Sequence, residues 1–280
     1  MASEFTSILY ALASGLTWGT GDFSGGMASR RTPVIIVMIL SQIIGLICLL
    51  IVITLFSEPF PQWSDLLFGA CGGTAGVIGL TAFYQGLASY PMGIVAPVAA
   101  AISAMLPVMV SFAFDGLPAV PQTLGLALAI AAIWTISQGG ATVSMQLRQL
   151  ALPAIGGLGF AGFFIFIDQV STGVVFWPIV AARCTAMLLL ACVILGKRLW
   201  QTPSPRQFPV IVIAGVFDTA GNTFFALAAN TGRLDMAAVL ASLYPATTVL
   251  LAWLILRERL GRKQWIGVIA ALIAVMLMAL

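Results

Sequence analysis

Residues 33–56 read PVIIVMILSQIIGLICLLIVITLF. No charged residue interrupts this run. At about 1.5 Å of rise per helical residue it is long enough to cross a hydrocarbon core roughly 30 Å thick. Working outward in both directions, runs of the same kind follow one another along the whole chain. They cover residues 6–28, 33–56, 64–87, 91–114 and 121–140, then 150–170, 174–196, 207–230, 234–256 and 263–280. Short connectors carrying Pro, Gly or charge separate them, among them Arg30-Arg31-Thr32-Pro33, Glu58-Pro59-Phe60-Pro61 and Gln201-Thr202-Pro203-Ser204-Pro205. The pattern predicts an all-α, polytopic membrane protein with ten transmembrane helices.

Composition points the same way. Of 280 residues, 61% are hydrophobic and 8% are charged, whereas soluble domains carry about 25% charged residues. So few charges cannot cover a surface facing water, so lipid is the solvent for most of the chain. No connector is long enough for a separate soluble domain, which excludes an enzymatic or receptor domain outside the membrane. The N-terminal run lacks a basic leader and contains Trp18 and Asp22, so it reads as the first span and not as a signal peptide. The net charge is only +3 and the basic residues are scattered, which argues against nucleic acid as a partner. The absence of histidine removes HExxH metalloproteases, Ser-His-Asp hydrolases and histidine proton relays. Cys48, Cys71, Cys184 and Cys192 fall in apolar runs without metal-ligand spacing and read as small packing residues. Gly19-Thr20-Gly21-Asp22-Phe23-Ser24-Gly25 has no following lysine and is no nucleotide loop. No metal and no cofactor is expected.

The chain also repeats itself. At a shift of 142, Gly15-Leu16-Thr17-Trp18 lies over Gly157-Leu158-Gly159-Phe160, and Gln122-Thr123-Leu124-Gly125 over Gln264-Trp265-Ile266-Gly267. At 141, Phe83-Tyr84 lies over Phe224-Phe225, and with a three-residue gap Leu106-Pro107 lies over Tyr244-Pro245. The halves are residues 1–146 and 147–280. Five spans per copy is odd, so the second copy enters the membrane from the opposite side. The expectation is an inverted repeat of two five-helix units, a common build of secondary transporters.

Several of these residues resemble the drug/metabolite transporter superfamily in its ten-helix EamA-type branch. Trp18-Gly19 matches an early Trp-Gly in span one. Glu258-Arg259-Leu260 matches the end of span nine, Gln264-Trp265-Ile266-Gly267 the entry to span ten, and Arg183 an arginine near the start of span seven. The first copy departs from the pattern, with Asp115-Gly116-Leu117 where the second has Arg257-Glu258-Arg259. The resemblance implies a secondary transporter, in the direction of export, for small metabolites or amphipathic compounds. Its place would be the plasma membrane, the inner membrane in a bacterium. Its partners would be a small-molecule substrate, the lipid bilayer, a coupling proton and a second copy in a homodimer. The competing readings are a membrane-embedded enzyme acting on lipid-phase substrates and a non-transporting structural subunit. Scattered acids and the lack of histidine weigh against the former.

Ionisable groups at lipid depth are costly and mark candidate sites. Asp218 lies near the middle of span eight, and Asn222 one turn later is on the same face. This pair is expected to bind a proton or a cationic group. Arg183 in span seven is either its partner, or Asp22's, or a snorkelling residue at a helix end. Asp22 and Asp168 lie nearer span ends and are expected to have solvated or interfacial roles and not coupling roles. Trp18, Tyr84 and Phe224 are the expected cavity aromatics, ahead of Trp177 and Tyr244. Gly15/Gly19, Gly21/Gly25, Gly69/Gly73 and Gly72/Gly76 have the spacing of close helix contacts. Pro97, Pro107 and Pro245 are expected to kink spans four and nine. Spans five and ten, without ionisable residues in their cores, are expected at the periphery. Arg30, Arg31, Arg148, Lys197, Arg198, Arg206, Arg257, Arg259, Arg262 and Lys263 all fall in odd-numbered loops, against Arg233 alone in the even ones. That bias puts the odd loops in the cytoplasm and both termini outside, whereas the resemblance implies cytoplasmic termini.

Overall fold

A computed structural model of the protein describes residues 2–115, 120–137, 147–171, 173–231, 241–258 and 260–278. Among these, all regular structure is helical. The helices are α1 (Ala2–Ser29), α2 (Val34–Phe56), α3 (Trp63–Ser89), α4 (Met92–Asp115) and α5 (Val120–Ser137), then α6 (Ala151–Asp168), α7 (Phe176–Lys197), α8 (Phe208–Thr231), α9 (Tyr244–Ile255) and α10 (Arg262–Met278). A 3-10 turn, Leu147–Leu150, leads into α6. Among the described residues five segments are long and apolar enough to cross a membrane: Val34–Phe56, Trp63–Ser89, Arg148–Asp168, Phe176–Lys197 and Phe208–Ala228. Met92–Leu106, Thr123–Ala132, Tyr244–Ile255 and Trp265–Leu277 are shorter apolar helices. The end of the expected fifth span (138–140) and most of the first part of the ninth (234–240) lie outside the described residues, as do Gly116, Leu117, Arg233 and Arg259.

Local chemistry sets the ends. Pro33 precedes α2 at its N-cap, where a missing N–H removes no helical hydrogen bond. α2 stops at Ser57, whose φ of 52° and ψ of 40° are left-handed and whose N–H returns to the Ile53 carbonyl. α7 stops in the same way at Arg198. α4 runs on through Pro97 and Pro107. Pro245 does not kink a helix as expected: it stands in the first turn of α9, where proline is well tolerated.

α1 packs along α8, α3 along α6 and α7, and α5 along α10; α2 lies against α7 and α8, and α9 against α1 and α4. Lipid offers helices no hydrophobic reason to associate, so close backbone approach must supply the contact energy. α3 shows how. Gly69 and Gly73 face the backbone of Pro178 and Ala182 on α7, and a Cβ on Gly79 would stand 2.8 Å from the Gly159 Cα of α6.

The exterior suits lipid. Leu55, Leu188, Leu195 and Ile266 are all more than half exposed, while Asp22, Gln42 and Arg183 are buried. Trp63, Trp200 and Trp265, exposed close to helix ends, fit an interfacial belt. Three cysteines depart from their expected packing role: Cys71, Cys184 and Cys192 face outward, and only Cys48 is partly covered.

Candidate functional site

The site starts from α8. Asp218 sits near the helix midpoint, and Asn222 one turn on turns its amide back to it, Nδ2 donating to Oδ2 at 3.3 Å. From α7, Arg183 Nη2 donates to the same Oδ2 at 2.7 Å. The guanidinium therefore turns inward and does not snorkel. Its Nη1 donates to Gln42 Oε1 of α2 at 2.8 Å. Gly45, one turn after Gln42, makes room: a Cβ there would lie 2.6 Å from Arg183 Cζ. The ion pair is almost dry, with the side chains 3% and 13% exposed. A charge buried to this degree holds only when paired and hydrogen-bonded, which the carboxylate and the amide together supply. Gln42 was not singled out from the sequence. Its signal was an amide in the centre of an otherwise charge-free span.

These groups line one side of a cavity at the depth of the helix midpoints, roughly 670 Å³ in extent counted with its mouth. Trp18 and Asp22 of α1, Phe160, Phe163 and Phe164 of α6, Val77 and Leu80 of α3 and Tyr244 of α9 form much of the rest of its wall. The described parts of α4, α5 and α10 contribute nothing to it.

Four residues are placed differently from expectation. Asp22 is not solvated; it is 5% exposed and lines the cavity. The reason is that α1 runs on to Ser29. Gly21 and Gly25 also press this part of the helix against the Asp218 backbone and the Tyr84 ring. Phe224 does not reach the cavity and stacks on Tyr10, ring centroids 6.2 Å apart. Six residues beyond Asp218, at about 100° per residue, it points roughly 240° around the helix. Phe225, seven residues on, returns to the Asp218 face and packs on Trp18 and Phe164 at 5.5 and 5.1 Å. Counting the period from Asp218 would have chosen it. Tyr84 is fully buried behind the wall, its hydroxyl donating to the Gly21 carbonyl at 3.5 Å. Tyr244, ranked low, lines the cavity at 3% exposure with its hydroxyl unpartnered. It meets Phe83 and Phe160 edge-on. Trp177 remains in the first turn of α7, its indole N–H donating to the Glu58 carbonyl, and Asp168 is exposed at the end of α6.

Polar ties lie at the helix ends. The Glu58 carboxylate accepts from the N–H groups of Val175, Phe176 and Trp177 at 2.6–3.2 Å, capping α7 from a distant connector. Ser171 N–H donates to Asp65 Oδ1 at 2.9 Å. At the opposite ends of the helices Glu258 pairs with Arg30 at 3.0 Å and accepts from Gly93 N–H at 3.3 Å. Glu258 of the Arg-Glu-Arg stretch is thus a device that holds helix ends together. Among the described residues no group of His, Cys, Asp and Glu is arranged to hold a metal ion.

Comparison with known proteins adds three findings. Among the solved structures that match, a crystal structure has a TM-score of 0.67, covering 97% of this chain and 95% of its own at 15% identity, so the two share a fold. No curated protein matches the sequence. Residues 149–280 match the EamA-like transporter family, a family of membrane transporters of the drug/metabolite kind. The C-terminal half of this integral, multi-pass membrane protein is therefore similar to the EamA-like transporter family, which is part of the drug/metabolite transporter superfamily.

Proposed function

We propose that the chain is a secondary transporter that exports small metabolites or amphipathic compounds across the plasma membrane by alternating access, built as an inverted repeat of two five-helix units. The observation that carries the reading is the mid-depth cavity, whose wall is drawn symmetrically from both halves. Trp18 and Phe160, Asp22 and Phe164, Gln42 and Arg183, and Val77 and Asp218 are each 141 or 142 positions apart, and all eight line it. Gln42 and Arg183 bond to each other directly. Residues related by a half-turn can touch only beside the axis, so the axis would pass through this bond.

Helix registers support the repeat. An inverted repeat conserves the sum of facing residue numbers, because one number rises by the shift while the other falls by it. In the α1–α8 pair this sum is 235, from Ser7–Ala228 and from Ser14–Gly221. In the α3–α6 pair it is 235 at Gly79–Gly156, and just beyond α6 it is 236 at Asp65–Ser171.

The same correspondence exposes an asymmetry between the membrane faces. Asp65 and Ser171 are bonded. Their counterparts at 142, Gln207 and Ser29, carry a buried Oε1 and a buried Oγ with no partner among the described residues. One face is tied where the equivalent tie on the other is unmade, as a carrier open to one side at a time requires. Within the cavity the Arg183–Asp218 pair acts as a fixed polar anchor, with Asn222 orienting Asp218 and Trp18 in the wall.

The test is a thermal-shift screen of the purified protein against amino acids, nucleosides and organic cations, since a ligand raises stability with the logarithm of its concentration over Kd. Hits are then assayed for counterflow in liposomes. At least one class is expected both to stabilise the protein and to exchange across the bilayer. Binding without counterflow, or no binding at all, would refute a carrier.

A further inference from the structure

Asp22 is the ionisable cavity residue that the transport reading leaves without a task. It is 5% exposed, lines the cavity and makes no hydrogen bond or ion pair with a described residue. Four titratable or charged groups surround it. Asp218 lies within electrostatic reach and Arg183 shares the cavity wall; Tyr84 stands behind and Tyr244 beside. Arg183 is committed to Asp218 at 2.7 Å and to Gln42 at 2.8 Å. That pair sums to zero charge, so an ionised Asp22 has no counter-charge in the wall, and a buried carboxylate without one is costly. A neutral solute would leave it unbalanced, and an anion would add repulsion. A zwitterion would also leave the sum at minus one. A monovalent cation alone supplies the partner that lets Asp22 ionise with the cavity neutral, which a low-dielectric site favours.

The wall around Asp22 specifies the rest of the ligand. Trp18 and Phe164 pack at 5.8 Å, and Phe160 and Tyr244 meet edge-on at 6.4 Å. Aromatic faces attract cations and accept flat carbon skeletons. Tyr244 brings a buried hydroxyl with no partner among the described residues, a donor and acceptor in the same wall. We propose that Asp22 sets the charge selectivity of the cavity, which takes a monovalent aryl-alkyl ammonium ion with its nitrogen at Asp22 and its ring among Trp18, Phe160, Phe164 and Tyr244. This rests on the cavity being the carrier's substrate site.

The experiment uses the full chain purified in detergent, with phenethylammonium and its uncharged analogue 2-phenylethanol as probes, titrated by calorimetry. The ammonium is expected to bind at least tenfold more tightly than the alcohol, and its binding is expected to weaken as the medium is acidified. Asp22→Asn should erase the preference while leaving alcohol binding in place, so the alcohol reports that the cavity is intact. Asp168→Asn, a carboxylate lost from the exposed end of α6, should change neither. If Asp22→Asn does not fold, the ammonium-to-alcohol ratio and its pH dependence in the unmodified protein still decide the matter. Equal binding of the two probes, no binding of either, or a preference that survives in Asp22→Asn would overturn the proposal. Counterflow of another solute class would at the same time leave the carrier reading standing.

Discussion

Replacing Asp218 by Asn tests whether the Arg183–Asp218 pair is the anchor of the bundle. The substitution keeps an acceptor oxygen beside Arg183 and removes the counter-charge that touches it. Arg183 is 3% exposed, its Nη1 remains on Gln42, and its Nε has no partner even in the intact protein. Removing one partner of a buried pair costs about 3–5 kcal/mol. The retained oxygen favours the lower end. About 3 kcal/mol corresponds to a shift of roughly a hundredfold in the unfolding equilibrium. The assay is the fraction of protein remaining monodisperse on size exclusion after graded heating. Asp218→Asn and Arg183→Met should each lose stability, since each strands the other charge. The double variant should recover much of the loss, because a buried pair is often replaceable by apolar side chains. It should also still prefer ammonium over alcohol, since Asp22 is untouched. An Asp218→Asn protein as stable as the parent, or a double variant no better than the single, would refute the reasoning.

Three further outcomes follow from particular contacts. Gly45→Ala would place a methyl 2.5 Å from Arg183 Nη1 and against Thr219 Oγ1. Because both helices must give way, a loss of about 1–3 kcal/mol is expected in the same heating assay. Glu58→Ala uncaps α7, so the amides of Val175, Phe176 and Trp177 should exchange faster by hydrogen–deuterium mass spectrometry, with a local cost of about 1 kcal/mol; unchanged exchange there would contradict the cap. The bias of Lys and Arg toward odd loops places both termini outside the cytoplasm, so a C-terminal reporter active only in the cytoplasm should stay dark, and a bright one would reverse the orientation.

The sequence by itself determined what depends on local chemistry. Charge-free runs such as 33–56 must be helical in lipid, because hydrocarbon leaves backbone groups no other partner. The helical period then places Asn222 on the face of Asp218, where the two are hydrogen-bonded. The 142-residue self-similarity set Trp18 over Phe160, and both line one cavity. Only the tertiary structure decided which faces meet. A water-soluble helix announces its inner face by an apolar stripe. Here lipid is as apolar as the core, so both faces of α1 and α8 read alike and no stripe marks the inside. The direction of each face was instead fixed by glycines, Gly21 against Asp218, Gly25 against Tyr84 and Gly45 against Arg183, and a sequence does not say which glycine meets which helix. Those contacts carried Asp22 from an expected solvated end into the cavity, turned Phe224 away and brought in Tyr244. They also joined Gln42 to Arg183 across 141 residues of chain.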